Sequence, residues 1–162
     1  MRDPDNRPGE VALGFDPGAT ADDARLVFIG RIRSPWMSRE ACPKNIRVAR
    51  ERGAQATVEI DEPWRPGLKG IAAGMPLIVV YWMDRARRDL VIQAPRHSET
   101  AHGVFSIRSP VRPNPIALAV VRCLAIEPAS GRIAIDATDA LDGTPVLDIK
   151  PWLATTDIPP AD

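Results

Sequence analysis

Short runs of apolar residues recur along the chain, and most of them are bounded by glycine, proline or aspartate. Runs of this kind between turn signals are typical of β-strands. They predict strands at 26–32, 56–60, 77–82, 90–94, 116–126 and 132–137. The candidates for short helices are 44–52 and 67–73, and no longer stretch has the 3.6-residue repeat of an amphipathic helix.

The close spacing of the predicted strands favours an all-β fold. The chain of 162 residues contains 17 prolines and 11 glycines, which mark frequent turns. This pattern predicts a small single-domain β-barrel, closed or nearly closed, with short helical turns, because closure removes exposed strand edges. Residues 1–24 lack periodicity and are predicted to form a flexible N-terminal arm, with the barrel domain at 25–162. No glycine-rich loop of the doubly wound nucleotide-binding type is present.

The charge of the chain is balanced overall but unevenly distributed. Its 21 basic and 21 acidic residues cancel, which argues against a polycation that binds nucleic acid over its whole surface. Between 85 and 122, however, arginines outnumber acidic residues. This group is either a local RNA-facing patch or a solvated rim, and the sequence leaves both interpretations open. Its members are Arg85, Arg87, Arg88, Arg96, Arg108, Arg112 and Arg122.

Cysteine and histidine give no sign of a metal site or a disulfide framework. Cys42 and Cys123 are far apart, and His97 and His102 lie in a polar loop without an acidic cluster. We therefore expect no metal. No secretory segment opens the chain and no apolar run reaches the roughly 18 residues of a membrane span, so we expect a cytoplasmic protein without membrane contact.

The segment 108–115 is the most constrained loop of the chain. Three prolines fix φ and remove backbone donors, and the apolar run that follows supplies a rigid support. Arg108, Arg112 and Asn114 lie on this loop. Planar guanidinium groups on a stiff backbone suit an anion or a carboxylate, although an ordinary proline-rich turn with solvated arginines fits the same letters.

Three stretches, in the same order, resemble the TsaA/TrmO family. Residues 105–116 read FSIRSPVRPNPI, similar to the family hallmark FxTRSPxRPNPIG. Residues 29–36 read IGRIRSPW, similar to IGxIxSPY, and residues 142–152 read DGTPVLDIKPW, similar to DGTPVLDIKPY. The resemblance implies a TsaA-like β-barrel that binds S-adenosylmethionine, usually as a homodimer. It also implies methylation of N6 of the threonylcarbamoyladenosine next to the tRNA anticodon.

The resemblance further implies which residues bind the cofactor. Arg108 is the candidate partner of its carboxylate. Trp82 and Met83 offer a flat apolar surface for adenine, although such residues at the end of an apolar run are also common in a core. Lys44 and Asn45 stand where the family has Arg and Gln. The full set of candidate cofactor-binding residues is Pro43, Lys44, Asn45, Trp82, Met83, Arg108, Leu141, Asp142, Gly143, Thr144 and Pro145.

Some of these residues have two possible roles. The backbone N–H groups of the 142–145 turn and the Thr144 hydroxyl are expected at the adenine edge or the ribose, unless the segment is simply a hairpin turn. Asp142 is the candidate acceptor for a proton of the substrate N6, or else an Asx-turn residue. Arg112 and Asn114 either orient the substrate or lock the loop.

Two functions from different classes fit the sequence. The first is an S-adenosylmethionine-dependent tRNA methyltransferase, with the tRNA anticodon loop as its partner. The alternative is an S-adenosylmethionine-binding module with a regulatory role or a small-molecule substrate. Clustered arginines favour the enzyme, whereas the zero net charge favours the module. Two departures from the family bear on the substrate: Ala117 replaces a frequent Gly, and this chain ends soon after Trp152, where longer bacterial members continue.

Overall fold

The computed structural model describes residues 6–20, 22–95 and 98–160, and it confirms the all-β prediction. The strands, in chain order, are β1 (Val11–Ala12), β2 (Gly30–Arg33), β3 (Ala56–Ile60), β4 (Pro76–Trp82), β5 (Leu90–Gln93), β6 (His102–Gly103), β7 (Ile116–Glu127), β8 (Arg132–Ile135) and β9 (Pro145–Pro151). The α-helices are short: α1 (Pro17–Thr20), α2 (Ile46–Glu51) and α3 (Ala154–Asp157).

The chain divides into two compact units. The small-sheet unit contains the described residues up to Arg25 together with Met83–Ile116, and the barrel unit contains Leu26–Trp82 and the described residues from Ala117 onward. In the small-sheet unit, β5 lies between β1 and β6 and pairs antiparallel with both. The division into an N-terminal arm and a barrel domain stays a prediction.

The barrel unit is a ring of strands in the order β2-β3-β8-β7-β4-β9, with β9 pairing back to β2. This ring confirms the predicted barrel. Side chains alternate between the two faces, as in β4, where Leu77, Val79 and Tyr81 are buried and the residues between them are half-buried. The core of the ring is built from such inward residues: Ile32, Val58, Ile60, Leu77, Val79, Tyr81, Val121, Cys123, Ile133, Ile135 and Val146.

Two glycines allow close approach of the backbone within the ring. A Cβ atom on Gly30 of β2 would overlap the carbonyl of Glu59 on β3. Gly131, in the turn between β7 and β8, has φ +75° and also has no space for a Cβ atom, which would overlap the carbonyl of Ile60. Glycine is therefore required at both positions by the packing of neighbouring strands.

Most predicted elements are confirmed within a few residues, and the exceptions have physical causes. The strand predicted at 26–32 is observed only from Gly30. The helix predicted at 67–73 is wrong: Gly67 and Leu68 end a 3₁₀ helix over Glu62–Leu68, and Gly70, with φ +96°, then turns the chain. Strand β9 was not predicted, because Asp148 and Lys150 on its exposed side interrupt the apolar run.

Candidate functional site

Segment 138–144 of the barrel unit is joined to segment 32–42 by a dense set of hydrogen bonds. The Asp142 N–H donates to the carbonyl of Trp36 at 2.9 Å, and the Trp36 indole Nε1–H donates to the carbonyl of Thr138 at 2.8 Å. The Ser34 hydroxyl donates to the carbonyl of Ala140 at 2.8 Å. These bonds fix the backbone that leads into the turn at 142–145.

Asp139 connects this segment to two other parts of the barrel unit. Its carboxylate accepts a hydrogen bond from the buried Tyr81 hydroxyl at 2.9 Å, and its carbonyl accepts one from the Cys42 Sγ–H at 3.2 Å. Tyr81 directly precedes Trp82, and Cys42 directly precedes Pro43. Three of the predicted cofactor-binding segments, at 43–45, 82 and 141–145, are therefore held to one another through contacts of Asp139.

The turn at 142–145 differs in chemistry from the prediction. Gly143 has φ +81°, as a tight turn requires. The N–H groups of Asp142, Gly143 and Thr144 donate to protein carbonyls, and so does the Thr144 hydroxyl, which bonds the carbonyl of Leu141 at 2.7 Å. Among the described residues, no backbone N–H is bonded to the carbonyls of Asp142 and Gly143. The turn thus presents acceptor atoms, which suit the amino groups of a ligand.

The Asp142 carboxylate has two partners within the protein. One oxygen accepts a hydrogen bond from the Ser34 N–H at 3.1 Å, and the other lies 3.6 Å from the guanidinium of Arg33. Arg33 is also hydrogen-bonded to Glu59, and this bond, followed by the charges of Glu59 and Asp142, raises the pKa of Arg33. A carboxylate held in this way keeps a fixed orientation, which either a turn residue or a proton acceptor needs.

The segment 43–45 leads into α2. Asn45 is the N-cap of that helix, and its side-chain oxygen accepts a hydrogen bond from the Val48 N–H at 3.0 Å. Pro43 is buried and Lys44 is exposed. The asparagine side chain is therefore already engaged in the helix cap, and Lys44 is the member of this segment whose charge faces solvent.

The hallmark loop, residues 105–115, lies in the small-sheet unit and is braced by Arg112 from within the loop and by Arg88 from outside it. Arg112 donates to the carbonyls of Ser109, Val104 and Ile107. Arg88 donates to the carbonyl of Pro113 at 2.6 Å and to the Asn114 side chain at 3.3 Å. Arg112 and Arg88 are thus both hydrogen-bonded to the backbone of this loop.

The other predicted residues of this unit have different surroundings. Arg108 is exposed on the same loop. Met83 is half-buried, and its N–H donates to the carbonyl of Pro115 at 2.9 Å. The His102 Nε2 lies within hydrogen-bond distance of the hydroxyls of Ser98 and Thr100. Arg96 and His97 lie outside the described residues.

The sequence singled out neither Asp139 nor Tyr81, Ser34 or Trp36 for a role in the site. Ser34 and Trp36 lie in the first of the three family-like stretches, so their identity was visible, but their contacts with 138–142 bridge more than 100 positions of sequence. For Tyr81, the one available signal was its position near the end of the predicted strand 77–82. Its inward direction follows from the alternation along β4.

The described ranges contain neither a metal-binding group of side chains nor a membrane-spanning helix. Within residues 6–20, 22–95 and 98–160, no three His, Cys, Asp or Glu side chains form a group able to hold a metal ion. None of the helices in these ranges has the length and apolar character needed to cross a membrane.

The ring of six antiparallel strands places the chain among small all-β barrel proteins, and solved structures of the same fold exist. The fold is similar to a crystal structure of TrmO, with a TM-score of 0.66 and 31% identity over 83% of this chain and 59% of that chain. Residues 31–158 match the family described as the tRNA-methyltransferase O N-terminal domain, and the chain belongs to that family.

Two curated relatives extend the comparison. A Rhizobium radiobacter protein named probable S-adenosyl-L-methionine-binding protein VirR is 46% identical over 90% of this chain and 78% of its own length. The tRNA (adenine(37)-N6)-methyltransferase of Mus musculus is 46% identical over 42% of this chain and 15% of its own length. The chain thus spans little more than half of the solved TrmO chain and a small part of the mouse enzyme.

Proposed function

We propose that this chain binds S-adenosylmethionine and transfers a methyl group to N6 of threonylcarbamoyladenosine next to the tRNA anticodon. Membership of the TrmO family supports the proposal, as do the relative named for S-adenosylmethionine binding and the mouse relative named for N6 methylation. The observation that carries it is the joining of the segments at 43–45, 82 and 141–145 through contacts of Asp139.

The chemistry of these residues fits the cofactor. The carbonyls of Asp142 and Gly143 suit its amino groups, and the half-buried Trp82 supplies a flat apolar surface. In the small-sheet unit, the Arg108 guanidinium is the proposed partner of its carboxylate. Pro43, Lys44, Asn45, Met83, Leu141, Thr144 and Pro145 complete the proposed cofactor-binding set.

The protein is proposed to act mainly by positioning. The cofactor, when bound, supplies a methyl group activated by a sulfonium. The N6 of threonylcarbamoyladenosine bears one hydrogen and is conjugated with both the purine ring and the carbamoyl group, so it is a weak nucleophile, and its orientation and the removal of its proton both matter. Asp142 is the proposed proton acceptor, since Ser34 and Arg33 hold its carboxylate in place. Arg112 and Asn114 are proposed to keep the hallmark loop in shape for the substrate.

A second function rests on the name of the R. radiobacter relative, which mentions binding alone. Under this alternative the chain is an S-adenosylmethionine-binding module with a regulatory role or a small-molecule substrate. The same cofactor site would be present, but tRNA would not be methylated.

One experiment separates the two functions. Purified protein is incubated with S-adenosylmethionine labelled on its methyl group and with tRNA from cells that lack the endogenous methyltransferase. Label in the modified adenosine supports the enzyme. Cofactor binding in calorimetry without any transfer of label supports the binding module, and absence of cofactor binding contradicts both.

We also propose that the chain forms a homodimer and works in the cytoplasm, where tRNA is modified. Leu118 and Leu124 point outward from β7 and are 48% and 37% exposed, so this strand offers apolar side chains that an interface could cover. A second copy that covers them would explain this exposure. Sedimentation equilibrium tests the proposal: Leu124→Lys should shift a dimer towards monomer, and a monomeric parent protein would contradict it.

A further inference from the structure

The arginines that the sequence offered as an RNA-facing patch are largely used inside the protein. Arg87 bonds Asp89 and Asn6, and the Arg87 hydrogen bond lowers the pKa of Asp89. Arg122 donates to the carbonyl of Gly74 at 2.9 Å. With Arg88 and Arg112 bound to loop carbonyls, at least four of the six described arginines between 85 and 122 are hydrogen-bonded within the protein.

A different group of cations faces solvent. Arg39, Lys44, Arg47 and Arg52 are all exposed, and we call them the cationic ridge. Arg47 has a side chain that is 82% exposed, and its nearest acidic partner, Glu51, is 4.0 Å away. Among the described residues, no carboxylate forms an ion pair with Arg39 or Lys44.

The ridge is held together by its own contacts. The Arg52 guanidinium donates to the carbonyl of Ala41 at 2.7 Å and lies 5.4 Å from the centre of the Trp36 ring. This stacking joins the C-terminal end of α2 to the loop that carries Arg39. Lys44 and Arg47 lie where that loop enters the helix. Arg52 is thus bonded within the protein, as Arg122 is, and it connects the stretch 39–52, which carries Arg39, Lys44 and Arg47, to Trp36.

The ridge also adjoins the candidate site. Trp36, on which Arg52 stacks, is bonded through its carbonyl to the Asp142 N–H and through its indole to the carbonyl of Thr138. A polyanion bound along the ridge would thus lie beside the 142–145 turn. Arginine and lysine at several spaced positions are what phosphate groups of a nucleic acid require.

We infer that the cationic ridge binds the phosphate backbone of RNA, and specifically of the tRNA anticodon stem-loop. The inference rests on the proposed function for the identity of the RNA. The four basic residues of the ridge outnumber Glu40 and Glu51, the acidic residues between 39 and 52, whereas the charge of the whole chain is zero, so the attraction is local to this face.

The test compares two pairs of charge reversals in the full chain. Arg39→Glu with Arg47→Glu alters the ridge, and Lys69→Glu with Arg132→Glu makes the same change of net charge elsewhere on the barrel unit. All four side chains belong to exposed residues. Fluorescence anisotropy measures the affinity for a labelled 17-nucleotide anticodon stem-loop RNA across a range of salt concentrations. Thermal melting checks the fold, and Arg39→Gln with Arg47→Gln replaces the reversals if these unfold the protein.

We expect the ridge pair to weaken RNA binding by at least about tenfold near 0.1 M salt, and the control pair by less than about threefold. If two phosphate contacts are lost, the slope of log K against log salt should also fall by about 1.4 to 1.8. Equal losses in the two pairs, a loss below about threefold in the ridge pair, or no RNA binding by the parent chain would each overturn the inference.

Cofactor calorimetry on the same samples separates this inference from the proposed function. Both pairs should bind S-adenosylmethionine as the parent chain does. RNA binding that depends on the ridge in a protein that transfers no label would support the ridge and overturn the enzyme. Methyl transfer together with RNA binding that is independent of the ridge would support the enzyme and overturn the ridge.

Discussion

Removal of the Tyr81 hydroxyl tests the link between the core of the barrel and the candidate site. Tyr81→Phe keeps the aromatic ring of a residue that is only 2% exposed, so it should leave the packing of the core unchanged. It removes the hydrogen bond to the Asp139 carboxylate at 2.9 Å. Hydrogen bonds to charged groups contribute about 1.5 to 3 kcal/mol. The free energy of unfolding should fall by that amount.

This loss is large enough to measure in two ways. For a chain of this size, about 1 kcal/mol shifts the melting temperature by about 2 to 4 °C, so a fall of about 3 to 12 °C is expected. Urea denaturation gives the free energy itself. Because Asp139 also holds the segment that leads into the 142–145 turn, we expect cofactor affinity measured by calorimetry to fall by about three- to tenfold.

A double-mutant cycle with Asp139→Ala, which removes the acceptor oxygen, isolates the pair. If the hydroxyl and the carboxylate interact as described, the two substitutions together should cost less than the sum of their separate costs, with a coupling of about 1 kcal/mol or more. A cost below about 0.5 kcal/mol for Tyr81→Phe, or purely additive effects, would refute the reasoning. Unchanged cofactor affinity with the expected loss of stability would confine Asp139 to a structural role.

Three further predictions concern single residues. Arg108→Ala should weaken cofactor binding in calorimetry by about 1.5 to 3 kcal/mol, and Arg85→Ala should not; equal affinities would remove Arg108 from the site. Asp142→Asn removes the charge but keeps an acceptor oxygen, so methyl transfer at saturating cofactor should slow by about 10²- to 10⁴-fold, and a rate within about threefold of the parent would leave Asp142 a turn residue. Burial, followed by the charge of Asp139, raises the pKa of the Cys42 thiol to about 11 from 9.0. Iodoacetamide at pH 8 should therefore label Cys42 about 100-fold more slowly in the folded chain than in urea, and the stability due to the neutral thiol should be lost as the pH rises from 9 towards 11.

The barrel was predictable because its evidence is local. Strand β3 was predicted with its observed limits, since Val58 and Ile60 alternate with residues that face outward. The same rule fails for β9, whose polar residues interrupt the apolar run. A ring of strands is stabilised by pairing between distant segments, so a strand with a mixed sequence is recognised only when its neighbours β2 and β4 are known.

The candidate site was predictable only in part, for a related reason. Family-like stretches identified the turn at 142–145 and the hallmark loop, but not the bonds that hold them. Nothing in the sequence near Asp139 indicates that its carboxylate meets Tyr81, 58 positions away, or that its carbonyl meets Cys42, 97 positions away. The same limit applies to the turn: its N–H groups looked available as donors until their carbonyl partners at Ile32 and Trp36 were located.

The arginines show why composition alone cannot locate an RNA-binding surface. A guanidinium has five donors and readily satisfies the carbonyls of a loop that lacks regular secondary structure. The proline-rich hallmark loop has many such carbonyls, and Arg88 and Arg112 bind them. In the loop that enters α2, Arg52 bonds the carbonyl of Ala41 in the same way, and Asn45 caps the helix. The side chains of Arg39 and Arg47 remain exposed to solvent. An RNA-binding surface should therefore be sought where the backbone carbonyls already have hydrogen-bond donors from other residues.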